Sequence, residues 1–247
     1  MSDRRQKPIA DESQWALVPV KSLIWTKQRL KTCLGSARAG LTLAMLKDVL
    51  TALAGSQECT HIAVVTADPQ VADMAAACGA RVIDEVTPGG MNEAIEQGLN
   101  AIRDSGGLRA AIIPADVPLI TSSEIDRVLE QLRELRLAES GHITGIVPSK
   151  DRGGTNLLCI ETERPFSVMY GPDSYRRHSR LAVEQGNRCV SLHSLPIALD
   201  IDEEGDLDEF ISFCLSIPIF QHTETWKYLQ SIGYVNPARQ QEKVYGN

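Results

Sequence analysis

Short apolar runs, each long enough for one strand, alternate along the chain with longer stretches whose apolar residues recur three and four positions apart. That alternation constrains the fold more than any other feature. A strand buried on both faces reads as a continuous apolar run, and a helix covering it reads as a stripe. WALVPV (15–20), HIAVVTAD (61–68), ARVIDE (80–85), LRAAIIPAD (108–116), HITGIVPS (142–149), NLLCIE (156–161) and IALDID (197–202) read as strands. The stretches 41–55, 68–80, 91–106, 121–137, 173–186 and 204–215 read as helices, with Ser122 or Ser123 as the cap of the fourth. The expected architecture is α/β: a central, mostly parallel sheet with helices on both faces. Residues 1–14 read as a mobile polar tail and 15–215 as the domain; 216–247 read as a C-terminal extension with one short helix over 223–233.

Composition narrows the class. With 247 residues and 43% hydrophobic content, roughly 70–75% of the unfolded surface can be buried around one core. The net charge of −7 argues against nucleic acid as a partner, since phosphate backbones are gripped by basic surfaces. The six cysteines are scattered with no CxxC pair, which points to a reduced, cytoplasmic chain and not to a disulfide framework or zinc site. No stretch approaches membrane-spanning length and no signal-peptide core is visible, so no membrane partner is expected. GSARAG (35–40) lacks the Lys-Ser/Thr of a P-loop, and no GxGxxG follows a strand.

The chemistry gathers around acids. In IIPADVPLI (112–120) a single carboxylate, Asp116, stands in an otherwise apolar run. Pro114 and Pro118 hold the residues before them extended, so Asp116 falls where a buried strand ends, the place where open α/β sheets bind ligands. IALDIDEEGDL (197–207) carries Asp200 and Asp202; on a strand they project to the same side, and two such charges invite a divalent cation of the magnesium or manganese kind. The alternative is that Asp202 caps the following helix. Lys21, Lys27 and Arg29 crowd the turn after the first strand, either as a phosphate-binding loop or as a solvated basic one. SKDRGGTNLL (149–158) offers paired glycines that present amides to a ligand or simply make a turn. YGPDSYRRH (170–178) sets cations in a helix's first turn, which opposes the helix dipole unless an anion lies between. Asn92 in GGMNEAI (89–95) is a base- or sugar-reading amide or a cap. His178 as a general base has only its location in favour, and no activated nucleophile of the Ser–His or Cys–His kind is visible.

The series PVK…K.RL, PADVPLI, GGTNLL, YGPDSYRRH and DID…DL, from about Ala16 to Phe213, resembles the guanylyltransferases that make the phospho-acid side chain of the deazaflavin coenzyme F-420. That family shares the Rossmann-like nucleotidyltransferase (nucleotide-diphospho-sugar transferase) fold with the molybdopterin guanylyltransferases. The resemblance implies transfer of GMP from GTP to a small phospho-acid: 3-phospho-D-glycerate, phosphoenolpyruvate or 2-phospho-L-lactate. It implies Asp116, Asp200 and Asp202 as magnesium ligands, with manganese as the alternative. It implies Thr155, Gly171 and Ser174 as acceptor contacts, joined by Met91, and Lys21, Lys27 and Arg29 as the nucleotide loop, with Asn92 nearby. Asp116, Lys21 and Lys27 carry the catalytic assignment. Met91-Asn92-Glu93 replaces a commoner Leu-Asn-Ala-like stretch, which tilts the acceptor toward 3-phospho-D-glycerate. A downstream transferase that consumes the product is expected, and a homodimer is an admissible assembly. The competing readings are transfer to molybdopterin or a sugar phosphate, whose LxGGxSxRM loop is absent after the first strand, and a nucleotide-binding module without turnover.

Overall fold

The computed structural model describes residues 13–85, 89–139 and 141–235. Residues 1–12 of the expected tail lie outside this range, while Gln14 already belongs to the first strand. The strands are β1 (Gln14–Pro19), β2 (His61–Thr66), β3 (Arg81–Asp84), β4 (Arg109–Ile112), β5 (Ile143–Pro148), β6 (Thr155–Glu161) and β7 (Arg188–Ser191). They form a seven-stranded sheet in the order β3-β2-β1-β4-β6-β5-β7. All neighbours run parallel except at β6, which is antiparallel to both β4 and β5. The start of β6 therefore meets the ends of the parallel strands.

The helices are α1 (Lys31–Leu34), α2 (Arg38–Gly55), α3 (Pro69–Ala77), α4 (Met91–Asp104), α5 (Ser122–Ala138), α6 (Ser174–Glu184), α7 (Leu195–Ala198), α8 (Glu204–Ser216) and α9 (Glu224–Ser231). Alternation along the strands feeds two cores. Ala16, Val18, Val64 and Ala111 pack with α2, α3 and α5 on one face. Trp15, Leu17, Ala63, Val65, Ala110 and Ile112 pack with α4 and α6 on the other. Gly98 lets α4 lie close on the sheet, since a Cβ there would stand 2.6 Å from Leu17 Cδ1 and 2.7 Å from Val65 Cγ2. A third apolar cluster joins Leu41 and Met45 of α2 to Phe210 of α8 and to Trp226 and Leu229 of α9. Asp48 of α2 completes that junction by accepting the Glu224 and Thr225 amides at 2.7 and 2.9 Å. Among the described residues no helix is long and apolar enough to cross a membrane.

Two expectations need correction, and one strand was not foreseen. IALDID is not a strand: Ser194 and Pro196 start the short helix α7, with the Ser194 hydroxyl accepting the Ile197 amide, and the chain then runs irregularly to α8. The seventh strand is instead RCVS (β7), a short edge strand whose arginine and serine hid it from an apolar-run criterion. The cap of α5 is Thr121, whose hydroxyl accepts the Glu124 amide, and not Ser122 or Ser123.

Candidate active site

The parallel strands β1 and β4 end side by side, and the loops leaving them carry the charged half of the site. Pro114 stops β4, and Asp116 follows in the turn. Its backbone carbonyl accepts the Ile201 amide at 3.0 Å, tying the 199–203 segment to the end of β4. Asp200 and Asp202 thus reach Asp116 through this backbone tie, without the strand alternation the sequence suggested. Lys27 takes a left-handed backbone conformation, φ 45°, which costs on the order of 1–3 kcal/mol for a non-glycine residue. Its Nζ lies 2.6 Å from Asp116 Oδ2 and 2.6 Å from Asp202 Oδ1. Burial by itself lowers the ammonium's pKa; the two carboxylates outweigh it and leave the pKa raised, so Lys27 stays charged.

Asp200 has no such cation. Burial first, and then the charge of Asp116, push its carboxyl up to about 6. It is held by Asn156, whose amide donates to Asp200 Oδ1 at 3.0 Å and to the Ile197 carbonyl at 3.0 Å. Val147 pairs with Leu157 while Pro148 pairs with Thr155, so Asn156 is the extra residue of a bulge in β6. Bulges of this kind re-aim a side chain beside functional sites. Sequence reasoning gave Asn156 no role of its own; the available signal was an amide opening an otherwise apolar strand. Among the described residues, no group of three or more His, Cys, Asp or Glu side chains is already arranged to hold a metal ion, and Lys27 stands between two of the three acids.

Next to Asn156, Thr155 enters the second half of the site. Its Oγ1 lies 3.0 Å from His178 Nδ1 and receives the Ser174 hydroxyl at 3.2 Å. All three side chains are buried: Thr155, Ser174 and, completely, His178. Gly171 has φ 116°, a left-handed region open to glycine, and lets the loop turn into α6. Arg177 Nη2 would stand 3.5 Å from a Cβ placed there. Its Nε and Nη2 are buried and make no hydrogen bond, a setting suited to an anion.

The remaining expected site residues separate. Asn92 turns both ends of its amide to the Tyr170 backbone, accepting its N–H at 2.7 Å and donating to its carbonyl at 3.3 Å. It clamps the 170 loop to the start of α4. Met91 packs in the same apolar cluster as Tyr170 and Tyr175. Lys21 and Arg29 are exposed. The glycine loop is a turn: the Gly153 and Gly154 amides go to Asp151 Oδ1 and Ser149 Oγ, so they are not presented to a ligand. The alternative cap role for Asp202 also fails. Glu203 caps α8 in a capping box with Asp206, which accepts the amides of Asp202 and Glu203.

The family model described as "Guanylyl transferase CofC like" matches residues 14–244. The chain belongs to the CofC-like guanylyltransferase family. Its relatives within and beside that family carry three acceptor names. A 3-phospho-D-glycerate guanylyltransferase of Phenylobacterium zucineum is 34% identical over 198 residues, covering 78% of this chain and 88% of the relative. A phosphoenolpyruvate guanylyltransferase of Conexibacter woesei is 33% identical, covering 79% and 86%. A 2-phospho-L-lactate guanylyltransferase of Methanocaldococcus jannaschii is 33% identical over 222 residues, covering 88% of each chain. Among solved structures, a nucleotidyl transferase from Methanothermobacter thermautotrophicus superposes with a TM-score of 0.57 at 16% identity, covering 83% of this chain and 98% of that one. The CofC-like chain therefore has the α/β nucleotidyltransferase fold expected from its sequence.

Proposed function

We propose that this guanylyltransferase transfers GMP from GTP to a three-carbon phospho-acid in coenzyme F-420 biosynthesis, with 3-phospho-D-glycerate first among the three candidate acceptors. The supporting observation is the meeting of Lys27, Asp116 and Asp202 at 2.6 Å contacts beside the Thr155–Ser174 hydroxyls. One strand residue, Asn156, separates the two halves.

The acceptor's phosphate is ionised at neutral pH and needs no protein base. One of its oxygens attacks the α-phosphorus of GTP; the bond from that phosphorus to the bridging oxygen breaks, and pyrophosphate leaves with the electron pair. The protein's work is placement and charge, and alignment alone is worth on the order of 7–11 kcal/mol. Lys27 is a buried ammonium donor for the triphosphate, its charge favoured by Asp116 and Asp202, with Lys21 and Arg29 as exposed cations on the same loop. Thr155, Gly171 and Ser174 face the acceptor, and Met91 shapes that side. Three carboxylates against one ammonium leave the acid cluster negative, and burial first, then the charge of Asp116, raises the pKa of Asp200. Oxygen donors of this kind fit magnesium, or manganese, and Asp116, Asp200 and Asp202 would hold it. When bound, the metal supplies charge neutralisation for the phosphates and the leaving pyrophosphate.

The product is an activated diphospho-acid, which implies a transferase downstream. Incubation with GTP, magnesium and each of the three acids is expected to give pyrophosphate and a guanosine diphospho-acid by mass spectrometry. Silence with all three at millimolar concentration would sink the reading.

A further inference from the structure

The hydrogen-bond inventory around His178 has a consequence for the acceptor half of the site. Met169 N–H donates to His178 Nε2 at 2.8 Å. A main-chain amide can only donate, so Nε2 carries no proton and the neutral ring holds its proton on Nδ1. Nδ1–H therefore donates to Thr155 Oγ1, 3.0 Å away. Phe166 and Tyr170 flank the ring, with centroids 6.1 and 5.0 Å from it, and no water reaches the fully buried side chain.

The rest is counting. Thr155 and Ser174 share one hydrogen bond at 3.2 Å. The bond from His178 uses the histidine's own proton. The two hydroxyls own two protons and their mutual bond uses one, so one is left over whichever hydroxyl donates to the other. With the Ser174 hydroxyl donating, both lone pairs of Thr155 Oγ1 are filled and the Thr155 proton must point away from both partners.

We infer that His178 is a positioning residue: by filling a lone pair of Thr155 Oγ1 it orients the Thr155–Ser174 pair so that the spare hydroxyl proton is aimed at an anionic oxygen of the acceptor acid. This rests on the guanylyltransferase reading of the site. It accounts for a buried imidazole that touches no acidic residue of the cluster and has no nucleophile to activate. Burial, with the charge of Arg177, lowers its pKa to about 4, so the ring stays neutral at working pH. With the Ser174 hydroxyl donating, a ligand that offers its proton to Thr155 is disfavoured, because two donors would then face each other.

The test separates substrate from fold. His178→Gln keeps an oxygen for the Met169 amide but loses the proton donated to Thr155; His178→Asn places an N–H near the Nδ1 position. His178→Gln is expected to raise the acceptor KM about tenfold, as expected when a misaimed hydroxyl weakens its bond to a charged oxygen, with the GTP KM within about twofold of wild type. His178→Asn is expected to recover part of that loss. Equal changes in both KM values, or an unchanged acceptor KM, would overturn the role. A long-range nitrogen–proton spectrum of the labelled wild-type protein tests the ring itself and needs no variant. Protonation at Nδ1 alone supports the inference, and the other tautomer or an imidazolium at neutral pH overturns it. Wild-type turnover without the KM split defeats the His178 role and spares the functional reading; a wild-type protein inactive with every acid defeats that reading instead.

Discussion

Replacing Asp116 by asparagine separates chemistry from folding, because the two effects predicted for it differ greatly in size. The amide keeps an oxygen for Lys27 Nζ, and the backbone tie from Asp116 to Ile201 does not involve the side chain. What is lost is one of two charges facing an ammonium whose side chain is 7% exposed, on a carboxylate that is itself 23% exposed. Breaking a fully buried pair costs about 3–5 kcal/mol and an exposed one about 0–1. With Asp202 still in place, a loss of ~1–2 kcal/mol follows, or a Tm lower by roughly 2–8 °C. Turnover depends on the charge itself. Removing one group that stabilises a charged transition state costs about 10²–10³ in kcat. The assay is pyrophosphate release under saturating GTP and acid, set beside a thermal melt of the same preparation. A variant that keeps more than a tenth of wild-type kcat, or whose activity falls only because it has melted, would refute the reasoning.

Three further outcomes are expected. Lys27→Met leaves Asp116 and Asp202 without their cation, so magnesium should raise its Tm more than that of the wild type; a ligand at a hundred times its Kd stabilises by about 2.7 kcal/mol, and equal shifts in titrations of the two proteins would argue against a metal among these acids. Asn156→Ala removes the donor to Asp200 Oδ1 and to the Ile197 carbonyl; chemical denaturation should show a loss of about 1–3 kcal/mol, with kcat falling alongside. Asp48 has its carboxyl raised from 3.8 to about 6 by burial, partly offset by hydrogen bonds from Thr225 and Glu224. Because the folded pKa is the higher one, its contribution to stability is complete below 3.8 and is lost as the pH rises through about 6. Melts across that window should therefore fall less steeply with rising pH in Asp48→Asn than in the wild type.

Much of the architecture was legible because patterning and packing agree. Strands β1, β2, β4, β5 and β6 are largely apolar on both faces where helices cover both faces, and the long helices carry visible stripes. The two strand failures share a cause: both lie where local sequence is ambiguous and tertiary contacts decide. IALDID alternates like a strand, yet Ser194 and Pro196 start a helical turn and the Asp116 carbonyl captures the remainder. RCVS has too little apolar character to announce itself, and β5 recruits it as an edge. In the site, Asp116 was readable at a strand end, and Asp200 and Asp202 were readable as acids but on a segment that is not a strand. The partners that orient them were not. Lys27 reads as one of several loop cations until the fold places it between Asp116 and Asp202, and His178 acquires meaning only from the Met169 amide.

The bulge in β6 makes the site a matter of counting. Deleting a single residue at Asn156 would restore a regular ladder with β5, and the amide that steadies Asp200 would vanish with it. An extra residue there would shift Thr155 relative to its imidazole partner. The exposed turn before β6 is free to lengthen, but the first two positions of the strand are not. Descendants of this chain can therefore retune the acceptor by substitution and are barred from doing so by insertion at that point.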